Sequence, residues 1–256
     1  MKKIFIPTLL GEDIVIPKDT THHIVNVFRH NFSEPLTVSD TAGHTAQYVI
    51  KEVVDGVARA SCVDVEQLHK ALQGTPSLMG DVDEIDIVLI QGFLKGDKFE
   101  WVLQKSTELN VSAMYAVPMA HCVATYRDKK LGQKYERWQK IVLEASQQCG
   151  RQRLPELEVS LSLEQAIIKE QEEGTLVLVA YENEDKTSLR EVMEINAKGV
   201  KRVAIIIGPE GGISSKEMDL LTSKGVSPVS LGNTILRAET AAIGAIGMLQ
   251  YALNMR

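Results

Sequence analysis

The chain has 256 residues, 44% of them apolar and 24% charged, with a formal net charge of −6. That apolar content can bury a sizeable core and the length allows two domains, while no apolar run approaches a membrane helix and Met1-Lys2-Lys3-Ile4 does not open a signal peptide. The acidic average argues mildly against a nucleic-acid partner, which usually demands a basic surface, and excludes nothing where a local patch exists. Cys62, Cys122 and Cys149 are odd in number, far apart and outside CxxC spacing, which fits a reduced, cytoplasmic protein with neither a disulfide framework nor a zinc site.

In chain order, residues 1–72 read as short strands at Lys3 to Ile6, Leu36 to Ser39, Ala46 to Val54 and Val57 to Val65. One helical stretch, His22 to Phe28, interrupts them. Asp55-Gly56 between two β-branched runs is the pair that favours a type I′ hairpin turn. Several short antiparallel strands in so few residues predict a small barrel, a first domain over 1–72. Residues 73–84, opening on Gln73-Gly74-Thr75-Pro76, are turn-rich and read as a linker. From residue 85 to 256 strands alternate with helices: Ile85 to Gln91, Lys98 to Leu109, Ala113 to Pro118, a basic helix over Lys134 to Gln148, Leu176 to Ala180, and Leu189 to Asn196. Alternation of this kind specifies an α/β domain with a parallel sheet.

Two glycine-containing segments close the chain, each between a strand pattern and a helix pattern. Val203 to Ile207 is a β-branched run suited to a strand buried on both faces, and it leads into Gly208-Pro209-Glu210-Gly211-Gly212. Ser214 stands three residues before Glu217, the spacing of a capping box that opens a helix. Val226 to Leu231 then leads into Gly232-Asn233-Thr234-Ile235-Leu236-Arg237-Ala238-Glu239 and an Ala/Gly-rich helix reaching Leu253. Successive βα turns at the carboxyl ends of neighbouring strands are where open α/β sheets hold ligands. The segments match neither GxGxxG nor GxxxxGK[ST], and Glu210 would repel a phosphate. A cationic or neutral ligand gripped by backbone groups fits better, and S-adenosylmethionine, with its sulfonium and adenine, is one such ligand. A bare tight turn would explain one such loop; two on adjacent strands weaken that explanation.

The charge is unevenly spread. Residues 121–153 carry eight Lys and Arg against three Asp and Glu, a candidate phosphate-binding surface. A solvated helix face explains much of it, since Arg137, Lys140 and Glu144 sit at pair spacing. His121, Arg127, Arg151 and Arg153 flank that helix, which favours a functional surface.

The run IIIGPEGGISSKEMDLL followed by VSLGNTILRAETAA closely resembles the RsmE family of 16S ribosomal RNA uridine-N3 methyltransferases, part of the SPOUT class. The likeness extends over nearly the whole chain. Lys95-Gly96-Asp97-Lys98 through Gln104-Lys105-Ser106-Thr107-Glu108-Leu109 resembles the family's KGD…QKATELG element. Arg137-Trp138 through Gly150-Arg151 resembles its RW…EAAEQSGR element, and His23 with Val27-Phe28-Arg29 its HH…VLR. Ala120-His121-Cys122 stands where the family commonly has Glu-Arg-Ser, so an arginine expected at RNA is histidine here. Asn110 replaces a frequent glycine, tolerable in a left-handed helix cap.

The resemblance implies a trefoil-knotted parallel sheet, a PUA- or OB-like N-terminal β-barrel, S-adenosylmethionine as cofactor, no metal, and a homodimer formed through the knot region that acts on 16S rRNA. Ala241, Ala242, Gly244, Ala245 and Gly247 offer a small-residue helix face for close packing, within the chain or between copies. The donor pocket would be lined by Val179, Ala180, Gly208, Pro209, Glu210, Gly211, Gly212, Leu231, Gly232, Ile235, Leu236 and Ala238, with the apolar members around the adenine. Uridine N3 must lose its proton before it can accept a methyl group, so Arg237 is the candidate for stabilising charge on the uracil carbonyl oxygens. Glu239 or Glu210 would accept the proton or orient Arg237; an Arg237–Glu239 ion pair or a loop-closing Glu210 would be purely structural alternatives. The RNA surface would combine His23, Arg29, Lys95, Lys105, His121, Arg127, Arg151 and Arg153. A SPOUT methyltransferase of another RNA, such as transfer RNA, and a non-catalytic RNA-binding module are the competing readings.

Overall fold

The computed structural model describes residues 3–40, 42–73, 85–123, 128–151, 153–196 and 199–254. Two compact units divide the chain, Met1–Val82 with Ser146–Leu154, and Asp83–Ala145 with Pro155–Arg256. Residues 74–84 of the expected linker, and Arg127, lie outside the described residues.

In the first unit, β1 (Lys3–Phe5), β2 (Asp13–Ile16), β3 (Leu36–Ser39), β4 (Thr45–Val54) and β5 (Val57–Cys62) form one five-stranded sheet in the order β1-β3-β4-β5-β2. The sheet is a half-barrel with two edges, and its β1 runs parallel to β3, where an all-antiparallel barrel was expected. Asp55 and Gly56 take φ values of 52° and 80°, the left-handed pair that a type I′ turn needs, and Val54 pairs with Val57 across it. The strand expected to reach Val65 stops at Cys62. Asp64 accepts the backbone N–H of Gln67 at 2.9 Å and so caps α2 (Val65–Gln73). The helix expected from His22 starts earlier, as α1 (Lys18–His22) behind Pro17, and continues through a π turn over His23–Val27. Alternation along the strands buries Ile4, Ile14, Ile16, Leu36, Val38, Tyr48, Ile50, Ala58 and Ala60 with Leu68 in one core.

The second unit is built on six parallel strands in the order β11-β9-β10-β6-β7-β8. They are β6 (Asp86–Gly92), β7 (Ala113–Val117), β8 (Glu156–Glu158), β9 (Leu176–Ala180), β10 (Arg202–Ile207) and β11 (Ser227–Val229). Six helices accompany them: α3 (Lys98–Glu108), α4 (Asp128–Cys149), α5 (Leu163–Glu172), α6 (Leu189–Asn196), α7 (Ser215–Ser223) and α8 (Ala238–Leu253). Successive strand residues point to opposite faces, so Ile87, Leu89, Val203, Ile205 and Ile207 join one core with α3, α4, α6 and α8. Val88, Ile90, Ala204 and Ile206 join a second with α5 and α7. This doubly covered sheet is why the strands read as continuous apolar runs. Its strand order brings the carboxyl ends of β6, β9, β10 and β11 side by side, and the glycine segments follow two of them.

Candidate functional site

The capping box behind the first glycine segment forms as its spacing predicts. The Ser214 hydroxyl accepts the Glu217 amide, and the Glu217 carboxylate accepts the Ser214 amide and hydroxyl at 2.9 and 2.7 Å. The other Glu217 oxygen accepts the Ala120 amide at 2.7 Å, tying the loop after β7 to the start of α7. Burial raises the Glu217 carboxyl, but these donors outweigh it and hold the group below the ordinary glutamate value. Gly211 lies directly against His121 of that same loop. Cys122 beside it is half-buried, and burial pushes its thiol up, so it is a poor nucleophile.

A cavity of about 630 Å³ opens over the strand ends. Its walls are Ala180 to Glu182 with Glu184 and Asp185 after β9, Ile207 to Ile213 after β10, Ser230 to Ala238 after β11, and Lys98, Glu239 and Ala241 from the helices. Among the residues expected to hold a methyl donor, Ala180, Gly208, Pro209, Glu210, Gly211, Gly212, Leu231, Gly232, Ile235, Leu236 and Ala238 line this space. Val179 does not; it is buried in β9. Ile235 is 83% exposed, which removes a core role for it and leaves an apolar side chain at the cavity wall. Glu182, Glu184, Asp185, Glu210 and Glu239 set five carboxylates in the lining against two cations, Lys98 and Arg237. A volume of this size suits a small molecule, and the excess of negative charge suits one carrying positive charge.

Arg237 is exposed at the N-terminus of α8 with extended backbone angles of −63° and 150°. Among the described residues it makes no ion pair with Glu239. Lys98 takes that place: its Nζ stands 3.4 Å from Glu210 Oε1 and 3.5 Å from Glu239 Oε2. Glu210 Oε1 also accepts the Lys95 amide at 3.0 Å, so this carboxylate does close the loop. Burial pushes the Glu210 carboxyl up, but the amides and the Lys98 ammonium outweigh it and hold it low, which makes Glu210 a weak base. Glu239 Oε2 is buried and accepts no hydrogen bond. Lys98 closes the Lys95-Gly96-Asp97-Lys98 element, and nothing local in the sequence points it at either glutamate.

The expected RNA-binding residues fall in both units. In the first, the His23 ring packs edge-on against Phe28 at 4.5 Å, Arg29 is exposed with φ of 47°, and Arg151 and Arg153 are half-buried. Arg151 Nε donates to the Arg153 carbonyl at 3.1 Å. In the second, Lys95 and His121 are exposed, while Lys105 Nζ is held by both Glu108 oxygens at 2.8 and 2.9 Å. Within the basic helix, Arg137 pairs with Glu100 at 2.7 Å and Lys134 approaches it at 3.6 Å, so both are partly neutralised. On α8, Ala242 and Ala245 are buried in their own core, whereas Gly244 and Gly247 open onto free space beside the exposed Met248 and Tyr251. Among the described residues no cluster of His, Cys, Asp or Glu could hold a metal, and no helix is long and apolar enough to cross a membrane.

Residues 82–250 match the RNA methyltransferase domain family. The ribosomal RNA small subunit methyltransferase E of Bacillus subtilis is 32% identical over 94% of this chain and 90% of its own length. A putative methyltransferase of Legionella pneumophila, solved with bound S-adenosylmethionine, superposes with a TM-score of 0.81 at 30% identity, covering 98% of this chain and 97% of that one. The ribosomal RNA small subunit methyltransferase E of Neisseria gonorrhoeae, solved with the same cofactor, gives 0.79 at 26% identity, covering 99% of this chain and 98% of that one. With a family match over most of the second unit and a relative aligned almost end to end, this chain belongs to the ribosomal RNA small subunit methyltransferase E family.

Proposed function

We propose that this protein methylates N3 of a uridine in 16S ribosomal RNA, with S-adenosylmethionine as methyl donor. The observation that carries the reading is the net-acidic, glycine-walled cavity at the strand ends, in a chain that shares its family with proteins solved holding that donor. The donor supplies a methyl group already activated on sulfonium. The protein's task is therefore to orient the acceptor and manage its proton and charge. Backbone of the Gly208–Gly212 turn and of Leu231 to Ala238 would hold the adenine, with Leu231, Ile235 and Leu236 against its faces. Arg237 would take the charge developing on a uracil carbonyl oxygen. Glu239, whose buried Oε2 accepts no hydrogen bond, is the better proton acceptor; Glu210, held low and bound to the Lys95 amide, keeps the loop closed.

The reading carries with it the knotted path of the SPOUT class and a cytoplasmic homodimer whose contact includes the open Gly244 and Gly247 face of α8. RNA would be gripped by His23, Arg29, Arg151 and Arg153 of the first unit and by Lys95 and His121 of the second. Mapping methylated uridines in 16S rRNA from cells with and without the gene tests it. Loss of one N3-methyluridine, restored by the gene, is the expected result. A change in transfer RNA alone, or in no RNA, overturns it.

A further inference from the structure

Lys98 opens α3 and reaches across to both glycine segments, one carboxylate from each. An ammonium at a helix N-terminus is electrostatically disfavoured, because the helix presents its positive end there. Glu239 lies in the first turn of α8, where a carboxylate is favoured without any lysine. Helix stability therefore does not require this cation. Its separations of 3.4 and 3.5 Å are longer than the 2.7–2.9 Å of a charge-assisted hydrogen bond. The ammonium thus sits between two acceptors at ion-pair range, with its side chain 39% exposed in the cavity wall. A lysine serving only to cross-link the loops would close to one of them.

We propose that Lys98 is a catalytic residue that binds the ionised uracil of the acceptor nucleotide, sharing the negative charge with Arg237. The inference rests on the uridine-N3 reading above. Methylation breaks the N3–H bond and the bond between methyl and sulfur, forms the bond from N3 to the methyl carbon, and leaves a neutral thioether. The N3 proton passes to the Glu239 carboxylate. A carboxylate is a weak base for so weak an acid, so the step needs the uracil anion lowered in energy before the methyl group moves. Two cations facing a base whose charge spreads over two carbonyl oxygens supply that. Glu182, Glu184, Asp185, Glu210, Arg237 and Glu239 are the other charged groups lining this cavity, and of these Glu210 and Glu239 stand 3.4 and 3.5 Å from the Lys98 ammonium.

The test compares wild type, Lys98→Met and Lys98→Arg in single-turnover methylation of small-subunit RNA containing either uridine or 5-fluorouridine, whose N3 is more acidic. Calorimetric donor binding, RNA binding and thermal unfolding are measured on the same proteins. Lys98→Met should slow transfer to uridine about 100-fold at saturating donor and RNA, with both affinities and the unfolding temperature unmoved. Lys98→Arg should recover part of the rate. On 5-fluorouridine the Lys98→Met deficit should shrink to roughly tenfold, since a more acidic uracil needs less help. An equal deficit on both bases, or a fall in donor affinity and unfolding temperature that saturating donor rescues, makes Lys98 a structural cross-link and overturns the proposal. If wild type places no methyl on uridine N3, the functional reading fails, and this role for Lys98 fails with it.

Discussion

His121 fills the space that a side chain on Gly211 would need. A Cβ built on Gly211 lies 2.7 Å from the His121 Cβ and 3.0 Å from its carbonyl oxygen. His121 is thus packed on the glycine turn that walls the cavity. Its first effect is on that turn, whatever it does toward RNA.

Gly211→Ala should therefore weaken donor binding by about 1–3 kcal/mol, the usual cost of overpacking, by pushing the turn off His121. Removing the opposing Cβ with His121→Gly in the same chain should recover part of the loss. Calorimetric titration of the single and double variants checks this. If the double variant binds as poorly as Gly211→Ala alone, the conflict does not lie with the His121 side chain.

Arg237→Ala should lower single-turnover rate by about 2.7–4 kcal/mol, or roughly 100- to 1,000-fold, with donor and RNA affinities little changed. Arg237 is exposed and unpaired with Glu239 among the described residues, so its loss leaves no broken ion pair in the loop. Lysine should restore part of the rate, keeping the charge and losing the planar fork. A near-normal rate in Arg237→Ala at saturating donor and RNA would retire the residue from catalysis.

Charge reversal at Arg151 and Arg153 should weaken RNA binding and flatten its dependence on salt, because fewer counterions are released. Donor affinity should stay constant. Both side chains are half-buried, so thermal unfolding must be followed in parallel. RNA affinity unmoved in a folded variant would leave the basic segment as a solvated surface.

At the opposite end of the sheet, Glu170 is fully buried. It accepts Tyr115 Oη at 2.8 Å, Thr175 Oγ1 at 2.8 Å, and Arg202 Nε and a second guanidinium nitrogen at 2.8 and 3.1 Å. Burial alone would raise its carboxyl, but Arg202 and the two hydroxyls outweigh that and hold it below the ordinary value of 4.5. A depressed folded-state value means that this stabilisation is complete above that pH and is lost as pH falls through the folded value. Glu170→Gln should cost about 3–5 kcal/mol at neutral pH, as for a broken buried pair, and less in acid. Urea unfolding of both proteins at neutral and acidic pH measures the difference. A gap that stays constant into acid would show that the charge is not what stabilises this cluster.

Local chemistry made many elements legible. Asp55-Gly56 specifies its turn because the conformation depends on those two residues alone, and Ser214 with Glu217 specifies a helix start for the same reason. Leu176–Ala180 and Leu189–Asn196 follow from apolar periodicity. Ser162 and Gln165 carry the same capping signal ahead of α5, a helix absent from the elements expected of the sequence above. β2 and β8 were not legible, being short and set by their pairing with β5 and β7. The glycine segments and Arg237 marked a candidate site, and they line the cavity at the strand ends, since backbone freedom and charge are properties of single residues. Tertiary structure decided which groups meet there. Parallel pairing of β10 with both β6 and β9 brings Lys98 to Glu210 and Glu239, seats His121 on Gly211, and leaves Val179 behind in the strand. Those contacts join residues far apart in the chain, and they exist only once the whole sheet has assembled.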